Sequence, residues 1–228
     1  MYDTLEPHLS IARLASYVKA AEGNRQDAIR LYQWNTELSG AVYQALHVVE
    51  VVLRNAMDTR LRRWNAEQIN AQTGEHRDGD WLLDPAPLLR RLVREKELAA
   101  GRGRAERAIR GHGRPVSHAD VLAQLSFGTW RFLLPDRDPG RKRLWNDALE
   151  GAFPHRKANP RDIVKAVDGV YKLRNRVAHL EPLLDLKNVR HQYENMRWVL
   201  RGIDPVVDEW FVSRQRVTAE LRRHPRKM

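Results

Sequence analysis

Apolar residues recur along this chain at the three- and four-residue spacing of amphipathic helices. In "HLSIARLASYVKAA" (8–21), Ile11, Leu14 and Val18 share one face. "EGN" interrupts the pattern, and a second helix is expected from about Arg25 to Trp34. "NTELSG" (35–40) then either joins it to a third helix or marks a kink. That third helix, "ELSGAVYQALHVVEVVLRNAMDTRLRRW" (37–64), is apolar over most of its circumference in the middle, as a central helix is. One polar line crosses it: His47, Glu50 and Arg54 stand at i, i+3 and i+7, on one face. Two readings of that line are open, a simple Glu50–Arg54 pair at i, i+4 or a functional groove.

Residues 65–80 are polar and read as a loop. A basic helix is expected over about 87–110, with a break at "GRG" (101–103). "SHADVLAQLSFGTWRFLL" (117–134) opens on Ser117 as N-cap with Asp120 three residues on, close to a capping box. Gly128 is expected to divide this stretch into two short helices. One or two more follow in "RDPGRKRLWNDALEGAF" (137–153). "NPRDIVKAVDGVYKLRNRVAHL" (159–180) has Asn159 as N-cap and Pro160 in the first turn, and Pro182 is expected to stop it. Two final helices cover about 185–202 and 204–222, before a basic tail, "RRHPRKM". No strand pattern and no repeat is found. The expectation is one all-α domain, with residues 1–24 and 204–228 as peripheral helices and tail.

Charge and composition narrow the function classes. The net charge of +11 comes mostly from arginine, which suits bidentate contact with phosphate. RNA or DNA becomes an expected partner. A GC-rich genome that encodes arginine in place of lysine produces the same excess, and composition does not separate the two. The chain contains no cysteine, which excludes disulfides and thiolate chemistry. Its first residues lack the basic and apolar runs of a secretory signal, and no apolar stretch reaches the roughly 20 residues of a membrane span. The expected location is the cytoplasm, with no membrane association.

Candidate chemistry gathers on the helix from 160 to 180. Ile163, Val167, Val170 and Val177 define its apolar arc, and Arg174 falls inside that arc. A buried unpaired arginine is costly, so Arg174 must snorkel or find a partner. Asp168, Asn175 and His179 lie together on the adjoining face, and Asn175 and His179 are i, i+4 neighbours. A neutral imidazole can take the proton of a ribose 2′-hydroxyl, and a guanidinium can stabilise the charge that builds on the phosphate. Spacing by itself fits a capping or surface histidine equally well.

"RNRVAHLE" resembles the R-N-x-x-x-H signature of the HEPN superfamily, a set of all-helical domains rich in metal-independent ribonucleases. "LYQWNTELSGAVYQALHVVEVVLRNAMDTRL", "LSFGTWRFLL" and "LRNRVAHLEPL" together resemble its abortive-infection-like (Abi-like) branch, over about Arg30 to Leu184. The resemblance implies that Arg174, Asn175 and His179 are catalytic and that Glu181 is the acidic residue after the histidine. Glu50, Arg54 and Asn55 match the family's N-terminal helix, which would pack on the catalytic one and offer Glu50 to Arg174. Thr59 stands where a second signature beginning at Arg54 would need its histidine, so the chain holds one complete signature. HEPN ribonucleases generally bring two together. The resemblance therefore implies a homodimer with a composite active site and, in phage defence or a toxin role, an antitoxin or a phage-derived trigger. The rival reading is a non-catalytic RNA-binding or interaction module of a defence complex.

His47 lies on the polar line. His76, His112, His118, His155, His191 and His224 read as surface residues. Neither a zinc-binding pattern nor Walker spacing is present, and no cofactor or metal is expected. Arg90, Arg91 and Arg94 in the basic helix, with Arg176 in the signature, are either RNA-backbone contacts or a solvated basic face.

Overall fold

The computed structural model describes residues 2–157 and 159–225, and among them all regular structure is helical. The central element is α3, Arg25–Ala66, one uninterrupted helix of 42 residues. At about 1.5 Å per residue it is roughly 63 Å long. Asn24 caps it, its side chain accepting from the N–H groups of Gln26 and Asp27. "NTELSG" therefore neither joins two helices nor breaks one. The polar residue there has a tertiary use: Asn35 is buried, and its Oδ1 accepts from the Leu183 N–H at 2.7 Å. Leu38, Val42, Leu46, Val49, Leu53, Met57 and Leu61 run along α3 at helical spacing and are all buried.

Other elements lie against this mast. α1 (Tyr2–Leu9) and α2 (Ile11–Ala20) cover its first turns, with Leu14 and Tyr17 fully buried. α4 (Pro87–Val93) and α5 (Glu95–Ala108) meet at Arg94, whose φ is +63°, and not at "GRG". Gly101 stays helical and buried because α5 passes close to Val121 and Leu125; a Cβ there would stand 3.3 Å from Leu125. α6 (His118–Leu122) begins with the capping box, complete in both directions between Ser117 and Asp120. α7 (Phe127–Leu133) starts before Gly128, so the break falls at residues 123–126. α8 (Pro139–Asp147) leads into a 3-10 turn, Leu149–Ala152, against α3.

α9 (Pro160–Ala178) and α10 (Leu186–Ile203) pack extensively on one another and on α3. Their approach is tight at Gly169, where any Cβ would collide with Gln192, itself held by Asn188 and Asn195. Ile163, Val167, Val170 and Val177 are buried, as the wheel requires. α9 ends two residues earlier than expected, and Pro182 is not the cause. Leu180 turns left-handed at φ +58°, its N–H reaches Val177 O at 3.0 Å, and the Glu181 N–H reaches Arg176 O at 2.8 Å. This is the Schellman pairing, with leucine in the place where glycine is usual. The last expected helix is two, α11 (Pro205–Arg214) and α12 (Val217–Arg222), parted at Gln215 and Arg216. Residues 226–228 of the basic tail lie outside the described residues.

Two histidines expected at the surface are not there. His118 is buried because the buried carboxylate of Asp58 on α3 needs donors: Trp81 Nε1 and His118 Nε2 each lie 2.8 Å from Asp58 Oδ1. His224 is half-buried, its ring 4.5 Å from that of Trp34. His76, His112, His155 and His191 are exposed. Among the described residues, no helix is long and apolar enough to cross a membrane.

Candidate active site between α3 and α9

Two contacts set α9 antiparallel to α3. Arg174 Nε lies 3.9 Å from Glu50 Oε2, and further along the Leu183 N–H meets Asn35. Arg174, on the apolar arc of α9, has thus found a carboxylate on the polar line of α3. Arg54 and His47 on the same line also act on the Glu50 carboxyl through their charges. Glu50 is half-buried, and burial pushes its carboxyl above the ordinary glutamate value. Arg174, Arg54, the Phe127 N–H and His47 oppose that rise without cancelling it. Glu50 is therefore an acceptor that cations surround but do not fully satisfy.

His47 is exposed one turn before Glu50. Arg54 is half-buried and its Nε donates to Asn55 Oδ1 at 3.4 Å; Asn55 itself is exposed. On α9, Asn175 is half-buried and His179 is exposed. His179 is the C-cap of the helix, and its N–H bonds the Asn175 carbonyl at 2.9 Å. Asn175 and His179 therefore face solvent one turn apart, with Arg174 beside them. The left-handed Leu180 turns the chain away directly after the imidazole and is itself 67 % exposed.

Other expected site residues are occupied elsewhere. Glu181 accepts from Arg176 Nε at 3.2 Å, and Arg176 also donates to the Pro182 carbonyl at 2.7 Å. This pair locks the turn after α9 and engages the Nε and one terminal N–H of Arg176. Arg91 makes two 2.8 Å bonds to Asp138, and Arg90 lies 3.7 Å from Glu95. Arg94 is exposed at the joint of α4 and α5. No hydrogen bond or ion pair among the described residues joins these three to Arg174 or His179. Asp168 does not turn to Asn175. It accepts from Arg131 at 2.6 Å and faces Lys172 at 2.8 Å. Partial burial pushes the Asp168 carboxyl up, but Lys172 and Arg131 outweigh it and hold the carboxyl below its ordinary value.

Sequence reasoning missed one feature here. Arg161, Lys165, Asp168, Lys172, Asn175 and His179 follow one another at i, i+4, i+7, i+11, i+14 and i+18, a straight line on the solvent face of α9. The spacing alone carries this line, since all six positions lie on one helix.

The arrangement offers an exposed imidazole at the end of α9, a half-buried amide one turn before it, and a guanidinium on the neighbouring face turned toward Glu50. Among the described residues, no group of three histidine, aspartate or glutamate side chains is placed to hold a metal ion. Comparison with known proteins gives no match: no family model, no curated protein and no solved structure is significantly similar to this chain.

Proposed function

We propose that this protein is a metal-independent endoribonuclease of the HEPN type, acting in the cytoplasm in phage defence or as a toxin. The observation that carries the reading is the meeting of Arg174 with Glu50, on the helix that ends at the exposed His179. The resemblance of "RNRVAHLE" led to the expectation of that contact, and spacing along one helix did not require it.

In this reading His179 removes the proton of a ribose 2′-hydroxyl. The 2′-oxygen attacks the adjacent phosphorus, the bond to the 5′-oxygen breaks, and a 2′,3′-cyclic phosphate and a 5′-hydroxyl form. Arg174 faces the non-bridging oxygens as their charge grows. Glu50 keeps the guanidinium from folding onto solvent. Asn175 holds the imidazole or the phosphate. The departing 5′-oxygen needs a proton, and His179 of a second copy supplies it if two chains form one cleft by two-fold symmetry. An antitoxin would restrain an enzyme that damages its own cell, or a phage-derived trigger would switch it on.

The test is incubation of wild type and His179→Ala with total RNA and transfer RNA in EDTA, followed by mapping of product ends. Cleavage by wild type alone, with cyclic-phosphate ends, is expected. RNA bound but cut by neither form refutes the enzyme and leaves a non-catalytic RNA-binding module. Sedimentation tests the dimer, and a monomer at micromolar concentration refutes the composite site.

A further inference from the structure

We infer that the solvent face of α9 is a track for a single strand of RNA, leading to His179 and carrying a base platform at Phe132. This inference deepens the ribonuclease reading and rests on its choice of RNA as ligand.

The track begins with Arg161 and Lys165 and continues through Lys172 to Asn175 and His179. It spans 18 residues, about 27 Å at ~1.5 Å per residue. One carboxylate lies on it, Asp168, and Arg131 and Lys172 both hold that carboxylate. The cations are open to solvent: the side chains of Lys165 and Lys172 are 79 % and 73 % exposed. Lys165 is only loosely engaged, 3.8 Å from Asp162. Lys172 stands 2.8 Å from Asp168, the distance of Arg91 from Asp138, so Lys165 is the more loosely held of the two lysines. A polyanion laid along α9 would meet cations at intervals of one to two helical turns.

The second observation is aromatic. Arg131 reaches from α7 to Asp168 and so brings α7 alongside the middle of the track. The next residue, Phe132, is 47 % exposed. Its ring packs edge-on against Tyr171 of α9, with centroids 5.8 Å apart, and the Arg131 guanidinium lies 5.2 Å from its centroid. The guanidinium covers one face of the ring, Tyr171 packs at an angle to it, and the rest of the half-exposed side chain is open to solvent. A basic groove with an interleaved aromatic ring is how proteins hold unpaired nucleic acid. A base stacked in a duplex cannot lay its face on such a ring, whereas an unstacked base of a single strand can. The occupant is therefore a single strand, of up to about eight nucleotides if stacked at ~3.4 Å each.

The test measures binding apart from cleavage. Fluorescence anisotropy is recorded with labelled oligouridylates of 4, 8 and 12 nucleotides, all on the His179→Ala chain. Affinity is expected to rise from 4 to 8 nucleotides and then level off. Lys165→Glu and Lys172→Glu are each expected to weaken binding at least about fivefold and to lower the salt slope by about 1. Phe132→Ala is expected to weaken it by about fivefold to a hundredfold. Phe132→Leu, which keeps the packing on Tyr171, should show a similar loss and separates stacking from folding. Lys96→Glu, on α5, is the control for net charge. An equal loss from Lys96→Glu, or no loss from Lys165→Glu and Phe132→Ala, overturns the track. Should wild type cleave RNA while these variants leave KM unchanged, the track fails and the ribonuclease stands. If no form binds RNA, both fail.

Discussion

Glu50→Gln removes one charge from the groove between α3 and α9 at almost constant volume, and the structure fixes the sign of its effect. Burial of Glu50 outweighs the attraction of Arg174 and the other groups around it, so its folded pKa lies above the ordinary 4.5. A folded state that binds the proton more tightly than the unfolded chain loses stability as pH rises from about 4.5 through the raised value. A neutral glutamine escapes that loss. The attraction that is given up can be bounded. Two unit charges about 4 Å apart gain ~1 kcal/mol in water and ~4 kcal/mol at an effective dielectric constant of ~20. The side chains of Arg174 and Glu50 are 37 % and 24 % exposed and stand 3.9 Å apart, beyond hydrogen-bond distance. Solvent screening therefore places the coupling near the lower end, at about 1–2 kcal/mol. Since desolvation exceeds the sum of the attractions, Glu50→Gln is expected to stabilise the protein at pH 7.5. The urea midpoint rises with it, at an unchanged m-value. The assay is urea unfolding followed by circular dichroism at pH 7.5 and pH 4, with Arg174→Gln and the double variant completing a cycle. The gain should be present at pH 7.5 and absent at pH 4. A midpoint that falls at pH 7.5, or that shifts equally at both pH values, refutes the reasoning. On the proposed function the same substitution frees Arg174 from its anchor. A coupling of about 1.4 kcal/mol corresponds to a tenfold loss of cleavage, so stability and activity are expected to move in opposite directions.

Two further substitutions test the frame around the site. His118→Ala leaves the buried Asp58 carboxylate with Trp81 as its remaining close donor and is expected to cost about 3–5 kcal/mol in urea unfolding, against less than about 0.5 kcal/mol for a surface histidine. Leu180→Gly replaces an exposed, left-handed leucine with the residue that turn favours; it should raise stability by about 1 kcal/mol, and a loss of stability would mean that Leu180 makes a contact the strain does not reveal.

Helical periodicity is a one-dimensional property, so it survives in the sequence. The buried row of α3, the apolar arc of α9 with Asn159 and Pro160 at its start, and the capping box at Ser117 could all be read from residue spacing. Breaks were read less well. "NTELSG" and "GRG" look like interruptions because asparagine, serine and glycine disfavour helices locally by at most about 1 kcal/mol each. Burial of Asn35 against Leu183, and of Gly101 against Leu125, reverses that local preference. The actual breaks at Arg94 and Leu180 occur at exposed residues with no turn signal of their own, each at a positive φ.

The candidate site divides in the same way. Arg174, Asn175 and His179 share one helix, and their neighbourhood follows from 3.6 residues per turn. Whether Glu50, 124 residues away, meets Arg174 depends on how two amphipathic faces dock, and no periodicity along either helix encodes that register. Asp58 and His118, 60 residues apart, pair for the same reason: a buried carboxylate takes whichever donors the packed fold brings within reach. Local spacing says which side chains share a face. The close packing of α9 on α3 says which faces meet, because each interlocks with the other in only a few ways.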